Sequence, residues 1–564
     1  MKSIYKPLVA ALALMGSLTS CSDFLTVDPV DKLTQDNFYT SDDRVRLNTA
    51  TLYASATWDQ FSHDFQWKFD MLSGDMFYTY SAEGQWYFGT YTSVNQYINQ
   101  GWEGLYNVIA FANSIIHDMP GKCQSGVSEA AILQAQAEAR CVRAYCYYLL
   151  TEAWTNVPVV ENNSENITSN NLQLPPATQK SIYEFILKDL NFAAENLPMS
   201  DKDNFRATRL TALAIRAKVE LTMASHTDMG FDRQALYTAA ANDAKTVIDN
   251  KPAITEIDYS TLFDVEANNG PESLLAIQCG VLGYSYGNGR NCAWSRSSVI
   301  ADQTWGAGKG PTISLQSLYD DRDQRRQWVY MTLDDYYPNL NKANGGYTYK
   351  FINRGDDGSI VEDKNEMLAH LKKYVIGKSA DCDGNVGLNQ DAANNIYLLR
   401  LADMYFVRAE AIMGTADQTS DPVALDMVNQ VRHRAGLWTD LTSLTYEQLL
   451  QERRVEFAFE GINWFDILRY RYRSGDQKAI DFLNSGWGTG YNRSAMYVQK
   501  EGTSTSNENN RSQYTIADNK ADWAQYDPII ISTEAFRLPI PAAASTTSPQ
   551  LLGTPVDYVS PYED

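Results

Sequence analysis

Several long segments of the chain place apolar residues three and four positions apart, which is the spacing of one face of an α-helix. One segment runs from Ser181 to Leu197, and the next follows Thr208 as far as Ala224. Further helices are predicted at 94–118 paired with 128–154, at 394–413 paired with 421–435, and as one long helix from Thr445 towards Tyr472. Helix pairs in series predict a mainly α fold with tetratricopeptide-like helix pairs.

Local signals refine this prediction. The spacing of Ser181 and Glu184 matches a capping box and predicts that a helix begins there. Residues 396–413 are apolar on most faces, which predicts a helix enclosed by its neighbours. A minor β component is predicted at 274–278 and 536–540. Long loops rich in Gly, Asn, Asp and Ser are predicted at 161–176, 280–311, 336–391 and 501–522, and loops of this length often carry function.

Composition excludes several classes of function. The chain has 47 Lys and Arg against 69 Asp and Glu, a net charge of -22, which argues against a nucleic-acid partner. The cysteines form no C-x-x-C pair and the histidines form no H-E-x-x-H motif. We therefore expect no zinc site, no dithiol redox chemistry and no cofactor.

The first twenty residues have the layout of an export signal. Lys2 and Lys6 precede a short apolar run at 8–15, which is too short to span a bilayer. The run is followed by Leu18-Thr19-Ser20-Cys21, which resembles the lipobox of bacterial lipoproteins. The resemblance implies that residues 1–20 are removed and that Cys21 becomes the lipidated first residue of the mature chain, with lipid as its membrane attachment.

Four groups of residues match one family in the order in which they occur along the chain. The first group is Trp102-x-x-Leu105-Tyr106-x-x-Ile109 and Ala137-Glu138-x-Arg140-x-x-Arg143-Ala144-Tyr145. The second and third are Leu398-Leu399-Arg400-Leu401-Ala402-Asp403-x-Tyr405 and Asn429-x-Val431-Arg432-x-Arg434-Ala435-Gly436. The fourth is Glu452-Arg453-Arg454-x-Glu456-Phe457-x-Phe459-Glu460-Gly461 with Trp464-Phe465-Asp466. The chain thus resembles the SusD/RagB family of outer-membrane nutrient-binding lipoproteins.

The resemblance implies a SusD-like fold for residues 21–564 as a single unit, with an N-terminal half at about 21–255 and a C-terminal half at about 256–564. It also implies a partner, a TonB-dependent transporter of the SusC type, over which the lipoprotein acts as a lid. The leading hypothesis is a non-catalytic protein that captures oligosaccharides and passes them to this transporter. A peptide-binding lid, a surface glycoside hydrolase and a scaffold for protein partners are the alternatives.

Three carboxylates at helical spacing could be read as catalytic. Glu452, Glu456 and Glu460 lie four residues apart, with Arg453 and Arg454 beside them. Acids in register beside guanidinium groups more often form ion pairs with neighbouring elements. We therefore predict a structural role for these residues and no enzymatic activity.

Ligand-binding candidates come from the aromatic residues. Residues 58–106 contain 15 aromatics, too many for one site, so those at helical spacing such as Trp102 and Tyr106 are predicted to be core. Sugar rings pack on flat aromatic faces while their hydroxyls need amide, carboxylate or guanidinium partners. Loop-like segments at 78–87 and 284–305 combine both kinds of residue. The predicted ligand-binding residues are Trp86, Tyr284, Tyr286, Asn288, Arg290, Asn291, Trp294 and Trp305.

Two further motifs are weaker. Gly306-x-Gly308-Lys309-Gly310 lacks the spacing of a phosphate-binding loop, so a flexible loop is predicted. Asp381-x-Asp383-Gly384-Asn385 resembles the opening of a calcium loop, but the positions for its glycine and its final glutamate hold Val386 and Ala392. A solvated turn is favoured there, and calcium is the lesser alternative.

Overall fold

The computed structural model describes residues 38–503, 508–517 and 529–562. It is mainly helical, with 49% helix and 9% strand. The α-helices are α1 Asp42–Thr49, α2 Lys68–Leu72, α3 Ser81–Phe88, α4 Gln96–Asn113, α5 Glu129–Trp154, α6 Asn163–Thr168, α7 Gln179–Asn196, α8 Arg209–Ser225, α9 Arg233–Asp249, α10 Arg290–Trp294, α11 Ile313–Gln316, α12 Arg326–Val329, α13 Leu401–Met413, α14 Pro422–Arg434, α15 Tyr446–Phe457, α16 Asn463–Ser474, α17 Asp476–Asn484 and α18 Ala542–Thr547. The predicted signal peptide, residues 1–20, and Cys21 lie outside the described residues.

The strands are short and pair antiparallel, two at a time. They are β1 Met76–Phe77 with β3 Gly310–Pro311, β2 Ser273–Ile277 with β10 Ile396–Arg400, β4 Tyr330–Met331 with β9 His370–Leu371, β5 Tyr336–Tyr337 with β6 Tyr347–Thr348, β7 Asn353–Arg354 with β8 Ile360–Glu362, β11 Gln418–Thr419 with β12 Leu444–Thr445, and β13 Met496–Gln499 with β14 Tyr514–Ala517. The predicted strand at 274–278 is confirmed with a shift of one residue. In the part of the chain that the structure describes, no helix has both the length and the apolar character needed to cross a membrane.

The predicted helix pairs are present and pack against each other. Helix α4 contacts α5, α5 contacts α7, α7 contacts α8, and α13 contacts α14. Helix α9, which was not predicted, packs on both α8 and α13. The start of α7 differs from the predicted capping box, because its N-cap is Thr178, whose hydroxyl accepts from the Ser181 amide.

The prediction of one helix over 396–413 is wrong in its first five residues. Residues 396–400 form β10, and the helix begins at Leu401. Both faces of β10 are buried, so its continuous apolar run carries no alternation that would mark a strand. The Tyr145 hydroxyl on α5 donates to the Leu398 carbonyl (2.8 Å), which ties the strand to the N-terminal helices.

The predicted long helix from Thr445 to Tyr472 is broken into α15 and α16. Between them Gly461 has φ +74°, and a Cβ atom there would lie 2.5 Å from the Gln66 carbonyl oxygen. The Gly461 amide donates to Asp70 Oδ1 (3.0 Å). The chain therefore turns where only glycine fits against the α2 region.

The predicted strand at 536–540 is also wrong. Residues Thr533–Phe536 form a 3₁₀ turn, and the chain beyond it runs along α5 without a strand partner among the described residues. The Leu538 amide donates to the Ala153 carbonyl (2.9 Å), and the Trp154 indole donates to the Pro539 carbonyl (3.1 Å). This segment closes the C-terminal part of the chain onto the end of α5.

Candidate functional site

Five of the eight predicted ligand-binding residues are buried, and they are Trp86, Asn288, Arg290, Asn291 and Trp294. The two asparagines use their side-chain amides for hydrogen bonds within the protein. Asn288 Nδ2 donates to the Asn394 carbonyl (3.0 Å), and Asn291 Nδ2 donates to the Gly377 carbonyl (2.8 Å). A side chain without exposed surface cannot pack on a sugar ring, so these five are corrected to core residues.

The error at Trp86 has a local cause. The segment predicted to be loop-like contains helix α3, and the helix turns Trp86 into the core against Phe65 and Phe69. Trp294 is likewise enclosed, with the Tyr374 ring 5.8 Å away, centroid to centroid. Trp102 is buried, as predicted for a core aromatic.

The other three predicted aromatics, Tyr284, Tyr286 and Trp305, are exposed. Trp305 exposes 62% of its surface. The structure adds Tyr80, which is 73% exposed and immediately precedes α3. Tyr80 belongs to the aromatic-rich segment of the sequence, but no sequence signal distinguishes this exposed residue from the buried Trp86. We call Tyr80, Tyr284, Tyr286 and Trp305 the aromatic platform.

Tyr284 is held by a histidine. Its ring stacks on His63, with centroids 4.9 Å apart and planes at 22°. His63 lies in the π-helical segment Gln60–Phe65, and its Nδ1 is 2.8 Å from Asp59 Oδ1. The Ser285 hydroxyl donates to Asp59 Oδ2 (3.0 Å). A Cβ at Gly289 would lie 2.5 Å from the His63 ring, so glycine allows this close approach.

A buried lysine holds the other side of the platform. Lys309 Nζ donates to the carbonyls of Ala293 (2.9 Å) and Trp305 (3.3 Å). The same ammonium lies 4.5 Å from the ring centroid of Tyr78 and 4.9 Å from that of Trp67. Through these contacts one cation fixes the backbone that carries Trp305 and the residues beside Tyr80.

A second lysine lies next to this group. Lys68 is fully buried, with Nζ 3.1 Å from the Trp67 ring centroid and 4.0 Å from that of Tyr97. Glu83 Oε1 accepts from it at 3.1 Å. Burial lowers the pKa of Lys68 to about 7, although Glu83 favours the charged form.

A continuous set of contacts therefore connects the platform. The Trp67 indole donates to the His63 carbonyl (2.6 Å), which joins the lysine-held side to the histidine-held side. Burial raises the pKa of Tyr284 to about 12, so its hydroxyl remains protonated and can donate a hydrogen bond. Exposed rings on a rigid polar base can contact the C–H faces of a ligand while nearby groups bind its hydroxyls.

The carboxylates of the Glu452–Glu460 motif lie in a different environment. Glu456 bonds Arg400 (2.7 Å), Arg434 (2.5 Å) and Arg325 (3.0 Å), and all four are buried. Burial alone would raise the pKa of Glu456, but the guanidinium groups of Arg434 and Arg400 hold it well below its usual range. The prediction that these acids form ion pairs is confirmed.

The two weaker motifs are used structurally. Within the glycine-rich segment, Lys309 bonds protein carbonyls as described above. The Asp381 carboxylate accepts from the backbone amides of Asn341 (2.8 Å) and Lys342 (2.7 Å). Among the described residues, no group of three or more His, Cys, Asp and Glu side chains is placed to hold a metal ion.

The fold and the platform define a mainly helical protein with an exposed, rigidly supported aromatic surface. Residues 263–556 match the SusD family, and residues 23–221 match a family described as starch-binding associating with outer membrane. A SusD-like protein of Bacteroides ovatus is 30% identical over 557 residues, 98% of this chain and 97% of that protein. The chain belongs to the SusD family.

Other relatives share the overall structure or part of the sequence with this chain. A crystal structure determined with a xylogluco-oligosaccharide has a TM-score of 0.78 at 28% identity and covers 92% of this chain and 100% of that one. The starch-binding protein SusD of Bacteroides thetaiotaomicron is 23% identical over 388 residues, 61% of this chain and 66% of that protein. A laminarin-binding SusD-like protein, at 19% identity, has a TM-score of 0.64 over 91% of this chain and 99% of that one, which shows a common fold.

Proposed function

We propose that the chain is a cell-surface glycan-binding protein that captures oligosaccharides without cleaving them. The single observation that carries this proposal is the aromatic platform, whose exposed rings rest on contacts with His63 and with buried Lys309. Rings held in place lose little conformational entropy when a ligand packs on them. The xylogluco-oligosaccharide in the related crystal structure supports glycan as the ligand class.

The proposal includes no catalytic step. Glycoside hydrolysis uses two carboxyl groups about 5 to 10 Å apart across the scissile bond, one of them able to protonate the leaving group. At the centre of the most acidic helical motif, the Glu456 carboxylate is instead buried in ion pairs with Arg400 and Arg434. Binding requires only the platform and polar groups beside it.

The proposal extends to location and partner. Lipidation at Cys21 would anchor the mature chain at the outer membrane, in agreement with the description of the family that matches residues 23–221. A SusC-type TonB-dependent transporter would receive the captured oligosaccharide. Because part of the ligand surface could belong to the transporter, affinity in the isolated lipoprotein sets a lower bound for the complex.

The test is calorimetric titration of the lipid-free chain with xylogluco-oligosaccharides, laminari-oligosaccharides, malto-oligosaccharides and peptides. We expect one glycan class to bind without cleavage. The double variant Tyr284→Ala/Trp305→Ala should lose about 100-fold in affinity, because two stacking contacts are removed. Tyr336→Ala, which removes an exposed ring in β5 outside the platform, is the matched control.

Other outcomes would redirect the proposal. Peptide binding in place of glycan binding would establish the peptide-binding alternative. Release of shortened glycan would establish a hydrolase. Unchanged glycan affinity in the folded double variant would remove the platform from the binding site.

Attachment and partnership are tested separately. Labelled palmitate should be incorporated into the full-length chain and not into Cys21→Ala. The wild-type chain, purified gently from the native outer membrane, should bring a TonB-dependent transporter with it. Absence of that transporter would leave a capture protein that acts alone.

A further inference from the structure

A second exposed aromatic ring repeats the geometry found at Tyr284. Trp438 is 72% exposed and stacks on His433, with centroids 5.1 Å apart and planes at 24°. His433 Nε2 lies 2.6 Å from Asp440 Oδ1. An exposed ring, a histidine beneath it and an aspartate fixing that histidine therefore occur twice in the described chain, on elements that share no residue.

A groove lies beside the chain segment that carries this ring. A cavity of about 320 Å³ is lined by Arg432 and Leu437, the chain neighbours of His433 and Trp438, together with Leu441, Gln448 and Glu452. This volume is within the range of small-ligand sites. The groove offers apolar surface from leucines and polar groups from an amide, a carboxylate and a guanidinium.

One buried polar atom of a residue that lines the groove has no partner within the described protein. Arg432 bonds Glu452 through Nη1, but its Nε is buried and forms no hydrogen bond within the described protein. A buried donor without an acceptor costs free energy unless a ligand or water supplies one. Arg432 therefore contributes to the groove a polar wall that the protein itself does not fully satisfy.

We infer that Trp438 and this groove form a second carbohydrate-contacting site. This inference rests on the proposed glycan-binding function for its ligand class, and it adds a site that the platform does not include. A stacked, rigid indole beside mixed polar and apolar walls matches a sugar ring better than it matches a purely apolar partner. Two sites on one protein would hold a long glycan more tightly than either site alone.

The test uses fluorine NMR of the chain labelled with 5-fluorotryptophan. The chain has 12 tryptophans, and among the described residues Trp305 and Trp438 are the exposed ones. The variants Trp305→Phe and Trp438→Phe identify the two signals by their disappearance. Xylogluco-oligosaccharides, malto-oligosaccharides and laminari-oligosaccharides are then titrated to millimolar concentration.

We expect the Trp438 signal to shift with saturation for at least one of these glycans. His433→Ala, which removes the supporting ring, should weaken that saturation by about three- to tenfold while leaving the Trp305 titration unchanged. A Trp305 response with no Trp438 response would overturn the second site and leave the proposed function intact. Silence of both signals would contradict both proposals for these glycans.

A protein occupant gives a different result. If the Trp438 signal shifts with the concentration of the chain itself, the face binds a second copy and the carbohydrate assignment is wrong. A shift that appears only with the co-purified transporter would likewise overturn it. A saturable shift with glycan in dilute protein separates the inference from both.

Discussion

The Glu452–Glu460 region and the aromatic platform use similar residue types for opposite purposes. In the first, Arg400 binds Glu272 (2.6 Å), Glu456 (2.7 Å) and Glu460 (2.8 Å), and all four side chains are buried. In the second, buried Lys309 supports backbone and rings whose neighbours face solvent. The buried ion pairs of Arg400 hold helices and strands together. The Lys309 ammonium instead supports aromatic rings that remain exposed to solvent.

This difference shows that a recognisable motif and a functional site need not coincide. The motif with the most specific sequence pattern joins β10, α14 and α15 through ion pairs. The platform lies on irregular segments with no comparable pattern. The structural motif is buried and the proposed binding residues are exposed, so substitutions in the two regions should affect different properties of the protein.

Breaking the buried network should have the largest effect. Arg400→Met leaves the carboxylates of Glu272, Glu456 and Glu460 short of a partner in a buried site. Removal of one partner from a buried ion pair destabilises a protein by about 3–5 kcal/mol. Chemical denaturation should show a loss of this size in the free energy of unfolding.

The control is an exposed pair. Arg354 bonds Glu508 at 3.0 Å, with 46% of the arginine side chain exposed. Arg354→Met should cost less than about 1 kcal/mol, because water screens such pairs. Equal losses in the two variants would mean that burial does not distinguish the network from surface ion pairs.

Trp86→Phe should have the second largest effect on stability. Trp86 packs on Phe65 and its indole donates to Asn95 Oδ1 (3.3 Å). Loss of part of a buried ring and its hydrogen bond should lower the free energy of unfolding by about 1–3 kcal/mol. Glycan affinity of the folded variant should change by less than about twofold. A large change in affinity with unchanged stability would return Trp86 to the binding site.

Trp305→Ala should give the reverse pattern. Its side chain is mostly exposed, so the free energy of unfolding should change by less than about 0.5 kcal/mol. Calorimetry should show about tenfold weaker glycan binding, because one stacking contact is lost. A stability loss like that of Trp86→Phe, with affinity retained, would make Trp305 a packing residue.

The sequence alone predicted most of the helical framework. Apolar spacing located α4, α5, α7, α8 and α14 to within a few residues. In α4, α7 and α14 this spacing reflects one buried face, whereas α5 and α8 are buried on most sides. It failed at β10 and at the α15–α16 break. A strand buried on both faces has no period, and the break depends on how Gly461 fits against Gln66, which is distant in sequence.

The candidate site was predicted only in part. Three residues chosen for the composition of their loops are exposed, as a ligand-binding role requires: Tyr284, Tyr286 and Trp305. Their contact with ligand stays a prediction. Trp86 and Trp294 have the same residue type but opposite exposure. Which ring faces solvent depends on tertiary packing, and a single sequence contains no direct signal for it.

The smallest expected effect is a pH dependence of stability that comes from Lys68. This lysine is a buried charge beneath the aromatic platform, so it can be compared directly with the buried charges of the Glu452–Glu460 region. Its pKa of about 7 in the folded chain lies below the ordinary value of 10.5, so between these values the unfolded chain binds more protons. Stability should therefore rise with pH above about 7, and below that value the full cost of burying the charge is present. Between pH 7 and pH 8 the gain should be about 1 kcal/mol.

The variant Lys68→Met isolates this contribution, since the difference in unfolding free energy between wild type and variant cancels the other titrating groups. That difference should change with pH in the stated direction, because burial lowers the pKa of Lys68. A flat difference would mean that Lys68 stays charged in the folded state across this range. Lys68 would then resemble the paired charges of the Glu452–Glu460 region, and the contrast between the two regions would rest on the exposed rings alone.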